Sequence, residues 1–345
     1  MTTPPTTVPV SEEIQQASAW VRDLRASMGE VIVGQEGLVH SLFLSLLTGG
    51  HVLLEGVPGL AKTLAVSTLA KGVQASFARI QFTPDLLPSD LVGTEIYNAK
   101  EANFTVRKGP IFANFVLADE VNRAPAKVQS ALLEAMQERQ VSIGGQTFPL
   151  PRPFLVLATQ NPIEQEGTYP LPEAQLDRFM FLVQVGYPTL DEEREILRRT
   201  TGGSTPELKK VVGAAELAEL QQAVRSIPVG DHVFDYALAL TRGTRVKGEG
   251  QLAFLREWVT WGAGPRAGQF LVLGAKAHAA LAGRTHVAIE DVRAVVHPVL
   301  RHRIVTNFSA AAEGITSDVV IDRLVKEVDP GASIGKGVPG VVARS

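Results

Sequence analysis

Apolar positions recur along the chain with two different periods. Between residues 11 and 28 they are spaced three and four residues apart, which predicts an amphipathic helix. A second, more apolar helix is expected over residues 38–47, where Gly49 and Gly50 end it as glycines commonly do. The run HVLLE at 51–55 then has the character of a buried parallel strand. The chain therefore changes from helical to strand periodicity within its first 55 residues.

Strand-like and helix-like segments alternate from this point to residue 187. Helices are expected over residues 62–71 and 125–140, and strands in the segments FARIQF, IFANFVLAD, FLVLATQ and FMFLVQV. This alternation predicts an α/β fold with a parallel sheet covered by helices on both faces. Residues 94–109 and 140–150 have the pattern of polar hairpins inserted into that core.

The pattern changes at residues 186–191, after which the chain shows amphipathic helices and no convincing strand. Six helices are expected, over residues 191–201, 214–226, 232–246, 265–282, 289–299 and 317–328. We therefore expect four parts: a disordered tail at 1–10, an α/β core at 11–187, an all-α domain at 188–330, and a flexible tail at 331–345.

Composition narrows the possible functions. The net charge of −3 gives no general attraction to nucleic-acid phosphates, so binding to DNA or RNA would need a local basic patch. The chain has no cysteine, which excludes disulfides, thiol catalysis and thiolate metal sites. The first residues lack the pattern of a secretory signal, and no apolar stretch has the character of a membrane span. We therefore expect a cytoplasmic protein.

The segment GVPGLAKT after the first strand has the spacing of a phosphate-binding loop. Four residues separate Gly56 from the run Ala61, Lys62 and Thr63, and a helix is expected to begin at Lys62. Backbone N–H groups of such a loop and the helix N-terminus attract anionic oxygens. Lys62 would neutralise the β- and γ-phosphates, and the Thr63 hydroxyl would bind Mg²⁺. The alternative is a tight turn with a solvated lysine, although a cation in a first helical turn opposes the helix dipole.

An acidic pair, Asp119 and Glu120, ends the apolar run that begins at Phe112. Carboxylates at the carboxyl end of a buried parallel strand lie beside the phosphate loop in a doubly wound fold. Asp119 would hold Mg²⁺ through water, and Glu120 would orient and deprotonate an attacking water. An isolated acidic pair would instead cap the next helix, but the phosphate loop upstream favours the catalytic interpretation.

Four further residues are candidates with open alternatives. Gln160 and Asn161 end another apolar strand, where an amide would hold the attacking water or simply form an Asn-Pro turn. Arg178 precedes an apolar run and would reach a neighbouring subunit's phosphate or form an ion pair within the chain. Arg266 lies at a helix start, where it would contact a phosphate or remain a surface arginine.

Six segments together resemble the MoxR family of AAA+ ATPases: VGQE (33–36), GVPGLAKT (56–63), FVLADEVNRAP (115–125), LATQNP (157–162), EAQLDRF (173–179) and GPRAG (264–268). The resemblance extends over roughly residues 11–328. Ala61 stands where most phosphate loops have glycine, and in this it is similar to the family's own version of the loop.

The resemblance implies a role for each matched residue. It assigns Lys62 and Thr63 to Walker A, Asp119 and Glu120 to Walker B, Asn161 to sensor 1, Arg178 to the arginine finger and Arg266 to sensor 2. Mg²⁺ would be held by Thr63 and Asp119. The implied ATP contacts are Val33 and Gly34 at the adenine, followed by Gly56, Val57, Pro58, Gly59, Leu60, Ala61, Lys62, Thr63 and Leu64.

The same resemblance implies an assembly and a class of function. Members form homo-hexameric rings with ATP at the subunit interfaces, and the all-α domain corresponds to their lid. They are similar to chaperones that remodel or mature other protein complexes, commonly with a partner that carries a von Willebrand factor A domain. The hairpins at 94–109 and 140–150 correspond to the helix-2 insert and the pre-sensor-1 insert.

Two other functions remain open at this stage. One is a nucleic-acid motor, whose corresponding hairpins would carry basic residues; the 140–150 hairpin has none, and the first has only Lys100, Arg107 and Lys108. The other is a scaffold that binds ATP without hydrolysing it, against which the presence of Glu120 and Arg178 counts.

Overall fold

The structure, a computed structural model, describes residues 10–57, 59–162, 167–202, 212–247 and 252–329. The predicted tails, apart from Val10, lie outside these residues, as does Pro58. The chain divides into two compact units. We call the described residues within 20–219 the sheet unit, and those within 10–19 and 220–329 the helical unit. This division lies later in the chain than residue 187, and the domain limits expected from the sequence stay a prediction.

The elements up to residue 219 alternate as the sequence pattern indicates. In chain order they are α1 (Val10–Val31), α2 (Glu36–Thr48), β1 (Val52–Glu55), α3 (Lys62–Gly72), β2 (Val73–Gln74), β3 (Phe77–Gln81), α4 (Pro88–Val92), β4 (Gly93–Asn98), β5 (Asn103–Lys108), β6 (Phe115–Asp119), α5 (Ala126–Glu138), β7 (Gln140–Ile143), β8 (Gln146–Pro149), β9 (Leu155–Gln160), α6 (Glu173–Leu176), β10 (Phe181–Gln184), α7 (Leu190–Thr201), β11 (Val212–Gly213) and the start of α8 (Ala214–Ser226).

Five parallel strands form the central sheet in the order β10–β1–β9–β6–β3. β1, β6 and β9 are buried along nearly their whole length, as expected for a parallel sheet covered on both faces. The predicted α/β fold is confirmed. Because the strands run in one direction, their carboxyl ends bring Gly56, Asp119, Glu120 and Asn161 to the same edge of the sheet.

Both predicted hairpins are present, as the antiparallel pairs β4–β5 and β7–β8. The second one turns at Gly144 and Gly145, which both have the positive φ that glycine tolerates. The Glu95 side chain of the first hairpin lies against Gly144, where an added Cβ would collide with its carboxylate. The two inserts therefore touch each other.

The helical unit continues with α9 (Asp231–Gly243), α10 (Ala253–Trp258), β12 (Val259–Trp261), α11 (Pro265–Leu281), α12 (Ile289–Leu300), β13 (Val305–Thr306), α13 (Phe308–Ala312) and α14 (Ser317–Glu327). The expectation of no strand after residue 191 is wrong at β11, which pairs in parallel with β2, and at β12 and β13, which form a short antiparallel pair. These strands, with α10 and α13, are too short to show a period in the sequence. None of the described helices is both long enough and apolar enough to cross a bilayer.

A buried carboxylate holds α11 and α12 together. Asp291, on α12, is completely buried and accepts hydrogen bonds from His278 Nδ1 (2.7 Å), from Arg284 Nη1 (2.8 Å) and from the Ala288 amide (2.8 Å). The last of these bonds also caps the first turn of α12. Asp291 thus has a structural role within the helical unit.

Candidate functional site

The phosphate-binding loop predicted from the sequence connects β1 to α3. Its backbone takes the left-handed conformation at Gly59 (φ +85°) and at Ala61 (φ +57°), directly before the helix begins at Lys62. Gly56 is restricted by its neighbour, because an added Cβ would lie 2.6 Å from the Val185 carbonyl oxygen. Ala61 therefore adopts a conformation in which glycine is usual, at a modest steric cost.

A cavity of about 370 Å³ lies beside this loop, at the carboxyl edge of the sheet. It is lined by Gly59, Leu60, Ala61, Lys62, Thr63, Leu64, Asp119, Glu120, Thr159 and Asn161. Loop residues and strand-end residues that are far apart in the sequence therefore share one cavity. Four predicted contacts, Val33, Gly34, Gly56 and Val57, do not line it.

Asp119 is fixed at the end of β6 by three neighbours. Thr159 Oγ1 donates to its Oδ1 at 2.6 Å. Its Oδ2 accepts from Arg79 Nη2 at 2.6 Å and from Thr63 Oγ1 at 3.4 Å. The carboxylate keeps an exposed fraction of 11% and faces the phosphate loop through Thr63. Oxygen atoms of a carboxylate and a hydroxyl are the ligands that Mg²⁺ prefers.

Glu120 follows in a strained backbone conformation, with φ +56°. Its amide donates to Thr159 Oγ1 (2.9 Å), and Gln81 Nε2 donates to its Oε2 (2.8 Å). Arg123 Nε lies 3.4 Å from the same oxygen. Glu120 is thus held by side chains from β3 and β9 rather than by capping a helix.

Arg79, Gln81 and Thr159 were missed by sequence reasoning. Arg79 and Gln81 project from the same face of β3, which pairs in parallel with β6, and Gln81 stands opposite Asp119. A signal was present in the sequence, because the FARIQF strand carries two polar side chains near its carboxyl end, next to the strand with the acidic pair.

Two opposing influences act on the pKa of Lys62: its partial burial and the negative charge of nearby carboxylates. Its ammonium donates a hydrogen bond to the Gly56 carbonyl oxygen. Burial lowers its pKa, while the negative charges of Asp119, Glu120 and Glu55 oppose that shift. An anion in the cavity would favour the charged form of the lysine in the same way.

The two amide side chains at the end of β9, Gln160 and Asn161, have different surroundings. Gln160 Nε2 donates to Glu55 Oε1 at 3.0 Å, and Gln160 does not line the cavity. Asn161 is buried, with 6% exposure, and does line it. Of the two candidates, Asn161 is therefore the one placed to contact a bound group.

Val33 and Gly34 lie in the turn between α1 and α2. Gly34 has φ +66°, and a Cβ there would collide with the Glu192 carboxylate of α7. Gln35 Nε2 donates to the Gly186 carbonyl at 2.9 Å. This turn is therefore connected to the segment that follows β10.

Two arginines complete the predicted set. Arg178 is half-buried between α6 and β10, and within the described ranges its side chain forms no ion pair with Asp177 or Glu173. Arg266 is half-buried in the first turn of α11, directly after Pro265. It belongs to the helical unit, whereas the cavity belongs to the sheet unit.

Comparisons with known proteins agree with this geometry. Residues 51–181 match the ATPase family associated with various cellular activities (AAA), and residues 255–324 match the AAA lid domain. The first match runs from β1 to the first residue of β10 and includes every residue that lines the cavity.

Relatives that match over most of their length identify the family within the AAA ATPases. The chain is 51% identical to the chaperone MoxR1 of Mycobacterium tuberculosis over 298 residues, which is 86% of this chain and 79% of the relative. It is 42% identical to YeaC of Bacillus subtilis, covering 90% of this chain and 97% of the relative. A crystal structure from Cytophaga hutchinsonii, of a protein proposed to be an ATPase, has a TM-score of 0.86 at 47% identity and covers 92% of this chain and 97% of that one. The chain belongs to the MoxR family of AAA+ ATPases.

Proposed function

We propose that this protein hydrolyses Mg-ATP as a cytoplasmic homo-hexamer and uses that turnover to remodel or mature other protein complexes. One observation carries the proposal: a single cavity brings the phosphate-loop residues Lys62 and Thr63 together with Asp119, Glu120 and Asn161. Phosphoryl transfer depends mainly on positioning and on charge, and this set supplies both.

Each residue has a chemical task in this proposal. Lys62 and the loop amides bind the β- and γ-phosphates. Thr63 and Asp119 would hold Mg²⁺, which supplies charge neutralisation between those phosphates when it is bound. Glu120 orients a water and accepts its proton, and Asn161 holds the same water in line. The hydrogen bond from Gln81 keeps one Glu120 oxygen in place, so the other is available to the water.

Val33, Gly34 and the two arginines would act from outside the cavity. Val33 and Gly34 bind the adenine, and Arg266 contacts a phosphate from the lid. Arg178 reaches the γ-phosphate of the neighbouring subunit, and its lack of an ion pair with Asp177 or Glu173 in the described residues leaves the guanidinium available for that contact.

Mixing two inactive variants tests the interface role. Lys62→Ala lacks the phosphate contact but keeps Arg178, whereas Arg178→Ala keeps the phosphate loop. Each alone should lose turnover by about a thousandfold. In equimolar mixed rings about a quarter of the interfaces would pair a complete loop with an intact arginine, so about a quarter of the wild-type rate should return.

If the mixture of variants does not recover turnover, the mass of the assembly shows whether mixed hexamers formed. Mixed hexamers without recovered turnover would contradict the role of Arg178 in trans, and full turnover by an isolated monomer would contradict the ring. Arg194→Ala is the matched control, because Arg194 pairs with Asp191 on the surface of α7. That variant should retain the wild-type rate.

Stimulation of turnover tests the remodelling role. An unfolded polypeptide, such as reduced and carboxymethylated lactalbumin, should raise the rate of ATP hydrolysis, while duplex DNA should leave it unchanged. The opposite pattern would favour a nucleic-acid motor instead.

A further inference from the structure

The helical unit contains a second cavity, a groove of about 870 Å³ between the outer faces of α9 and α11. Its middle is apolar and is formed by Ala237, Leu238, Val272 and Leu273. Leu238 and Phe234, one turn apart on α9, remain 43% and 47% exposed and both line this groove, so they form a contiguous apolar patch. The groove is therefore an apolar surface that the described residues leave uncovered.

The two helices run antiparallel along the groove. Arg245 Nε, beyond the end of α9, donates to the Ala263 carbonyl before the start of α11 (3.2 Å), and Gly268 faces Thr241. The lining residues of α11 extend from Pro265 to Lys276, a length of about 16 Å at the helical rise per residue. A helix of three turns has that length.

Positive charge lies at both ends of the groove. Arg242 and Arg245 are at the end near Pro265, and Arg225 and Lys276 are at the other, where Lys276 Nζ donates to the Arg225 carbonyl (2.6 Å). None of the described residues that line the groove is acidic, although the whole chain has 36 acidic against 33 basic residues. The arrangement is therefore cationic, apolar and cationic again.

We propose that this groove docks an amphipathic helix of another protein, with an apolar centre and carboxylates near both ends. Such helices lay their apolar face into grooves between two helices, and charge pairs at the ends fix their position. The apolar middle of the groove matches the centre of the partner helix, and the four cations match its ends.

A second copy of the chain fits the groove less well. Among the helices whose side chains are all described, α7 is the other one that exposes two large apolar side chains, Leu190 and Leu197. It carries acidic residues in its first turn but Arg198 and Arg199 in its last turn. One of its ends would therefore place cations against cations. A nucleic acid also fits poorly, because its evenly spaced phosphates would cross the uncharged middle of the groove.

The groove and the cavity beside the phosphate loop share no described lining residue, so this proposal stands independently of the ATPase proposal. None of its lining residues is assigned to phosphate, metal or water. Helix binding by a protein without ATP turnover would leave the groove proposal intact.

A labelled model peptide tests the proposal on the full chain. The probe is a fluorescein-labelled, capped peptide of about 14 residues, with glutamates at both ends and leucines at helical spacing between them. Fluorescence anisotropy should show saturable binding that weakens as salt is raised. Replacing every glutamate in the probe by glutamine should weaken binding by about tenfold or more.

Variants on the protein locate the binding site. Leu238→Gln in the middle and Arg242→Gln at one end should each weaken binding by at least about fivefold. Leu197→Gln and Arg198→Gln on α7 are the matched controls and should leave it unchanged. Because Arg242 is exposed, that variant keeps the test valid if Leu238→Gln does not fold, which circular dichroism would show.

Three results would overturn the proposal. The first is probe binding that neither groove variant weakens. The second is an absence of probe binding while the groove variants change the mass of the assembly, which would assign the groove to a second copy. The third is stronger binding of the glutamine probe than of the glutamate probe.

Discussion

Asp119 in the sheet unit and Asp291 in the helical unit are both buried carboxylates, yet their surroundings differ. Asp119 keeps 11% of its side chain exposed, and one of its partners, Arg79, is itself 53% exposed. Asp291 is completely buried. Both of its oxygens accept hydrogen bonds from groups within its own unit. A carboxylate that is left partly open beside a cavity can bind a further ligand, whereas a fully enclosed one holds helices together.

The surroundings of Asp291 also determine its protonation. Burial alone would raise its pKa, but hydrogen bonds from His278 and Arg284 outweigh burial and hold that pKa well below the usual range. The charge of Asp291 is thus part of the folded state. The contrast predicts that substitution of Asp119 lowers ATP turnover, whereas substitution of Asp291 lowers the free energy of unfolding.

Among the substitutions that compare the two units, Asp119→Asn should have the largest effect. The variant loses a charge that would hold Mg²⁺, and metal coordination supplies several kcal/mol of transition-state stabilisation, so turnover should fall by at least about a hundredfold. The measurement is steady-state ATP hydrolysis, with the urea midpoint as a control for folding. A variant with a lowered urea midpoint but the wild-type rate of turnover would reverse the assignment of Asp119 as functional.

Asp291→Asn should instead cost stability. Removing the charge leaves Arg284 and His278 without their anionic partner, and breaking a buried pair costs about 3 kcal/mol. Urea unfolding measures this loss. The matched control is Asp318→Asn, because Asp318 pairs with Arg301 but is 32% exposed, and its loss should cost less than about 1 kcal/mol. Equal costs for the two variants would argue against the role of Asp291 in holding α11 and α12.

Acidification should lower the stability of the two units over different pH ranges. In the sheet unit, His51 accepts from the Val156 amide (2.9 Å) and lies 3.2 Å from the Met136 carbonyl, so it is bonded as a neutral ring. Burial lowers its pKa from 6.5 to about 4, with the Met136 carbonyl opposing that shift. Between these values the unfolded chain binds the extra proton, so stability falls as pH falls from 6.5 towards 4.

His51→Gln isolates that contribution, since an amide keeps one donor and one acceptor. Wild type should lose on the order of 1–2 kcal/mol more than this variant between pH 7 and 5. The depressed pKa of Asp291 acts at lower pH, where its stabilisation is lost as pH falls below about 4. Identical pH profiles for wild type and His51→Gln would contradict the neutral, buried state of His51.

The smallest effect is expected from Arg79→Gln. Arg79 Nη2 lies 2.6 Å from Asp119 Oδ2 and competes with a cation for that oxygen. Because Arg79 is half-exposed, removing its charge should lower the Mg²⁺ concentration needed for ATP binding by no more than about fivefold. Titration of Mg²⁺ against a fluorescent ATP analogue measures the shift, with Arg107→Gln on β5 as the control. A higher Mg²⁺ requirement would show that Arg79 supports the site instead.

The site residues that could be predicted from the sequence are those that stand at the end of a strand or in a loop of recognisable spacing. Asp119 and Glu120 were found because each ends a buried apolar run, and the loop at 56–63 has a recognisable spacing. Their convergence on one cavity follows from the parallel order of the strands. The confirmed α/β fold rests on the same alternation of elements.

The partners of those carboxylates were not predictable in the same way. Arg79 and Gln81 reach Asp119 and Glu120 through the register of β3 against β6, and periodicity along one strand does not fix its register against another. The groove between α9 and α11 likewise arises from the packing of two helices. The hydrogen bonds that Asp291 accepts from His278 and Arg284 depend on how α11 and α12 meet.

Paired measurements on Glu120→Gln test the central claim most directly. Binding of a fluorescent ATP analogue and steady-state hydrolysis would be measured for wild type, for Glu120→Gln and for Glu138→Gln, an exposed glutamate at the end of α5. The account predicts that only Glu120→Gln loses turnover, by about a hundredfold or more, while it still binds Mg-ATP. Hydrolysis by Glu120→Gln at the wild-type rate would contradict the account.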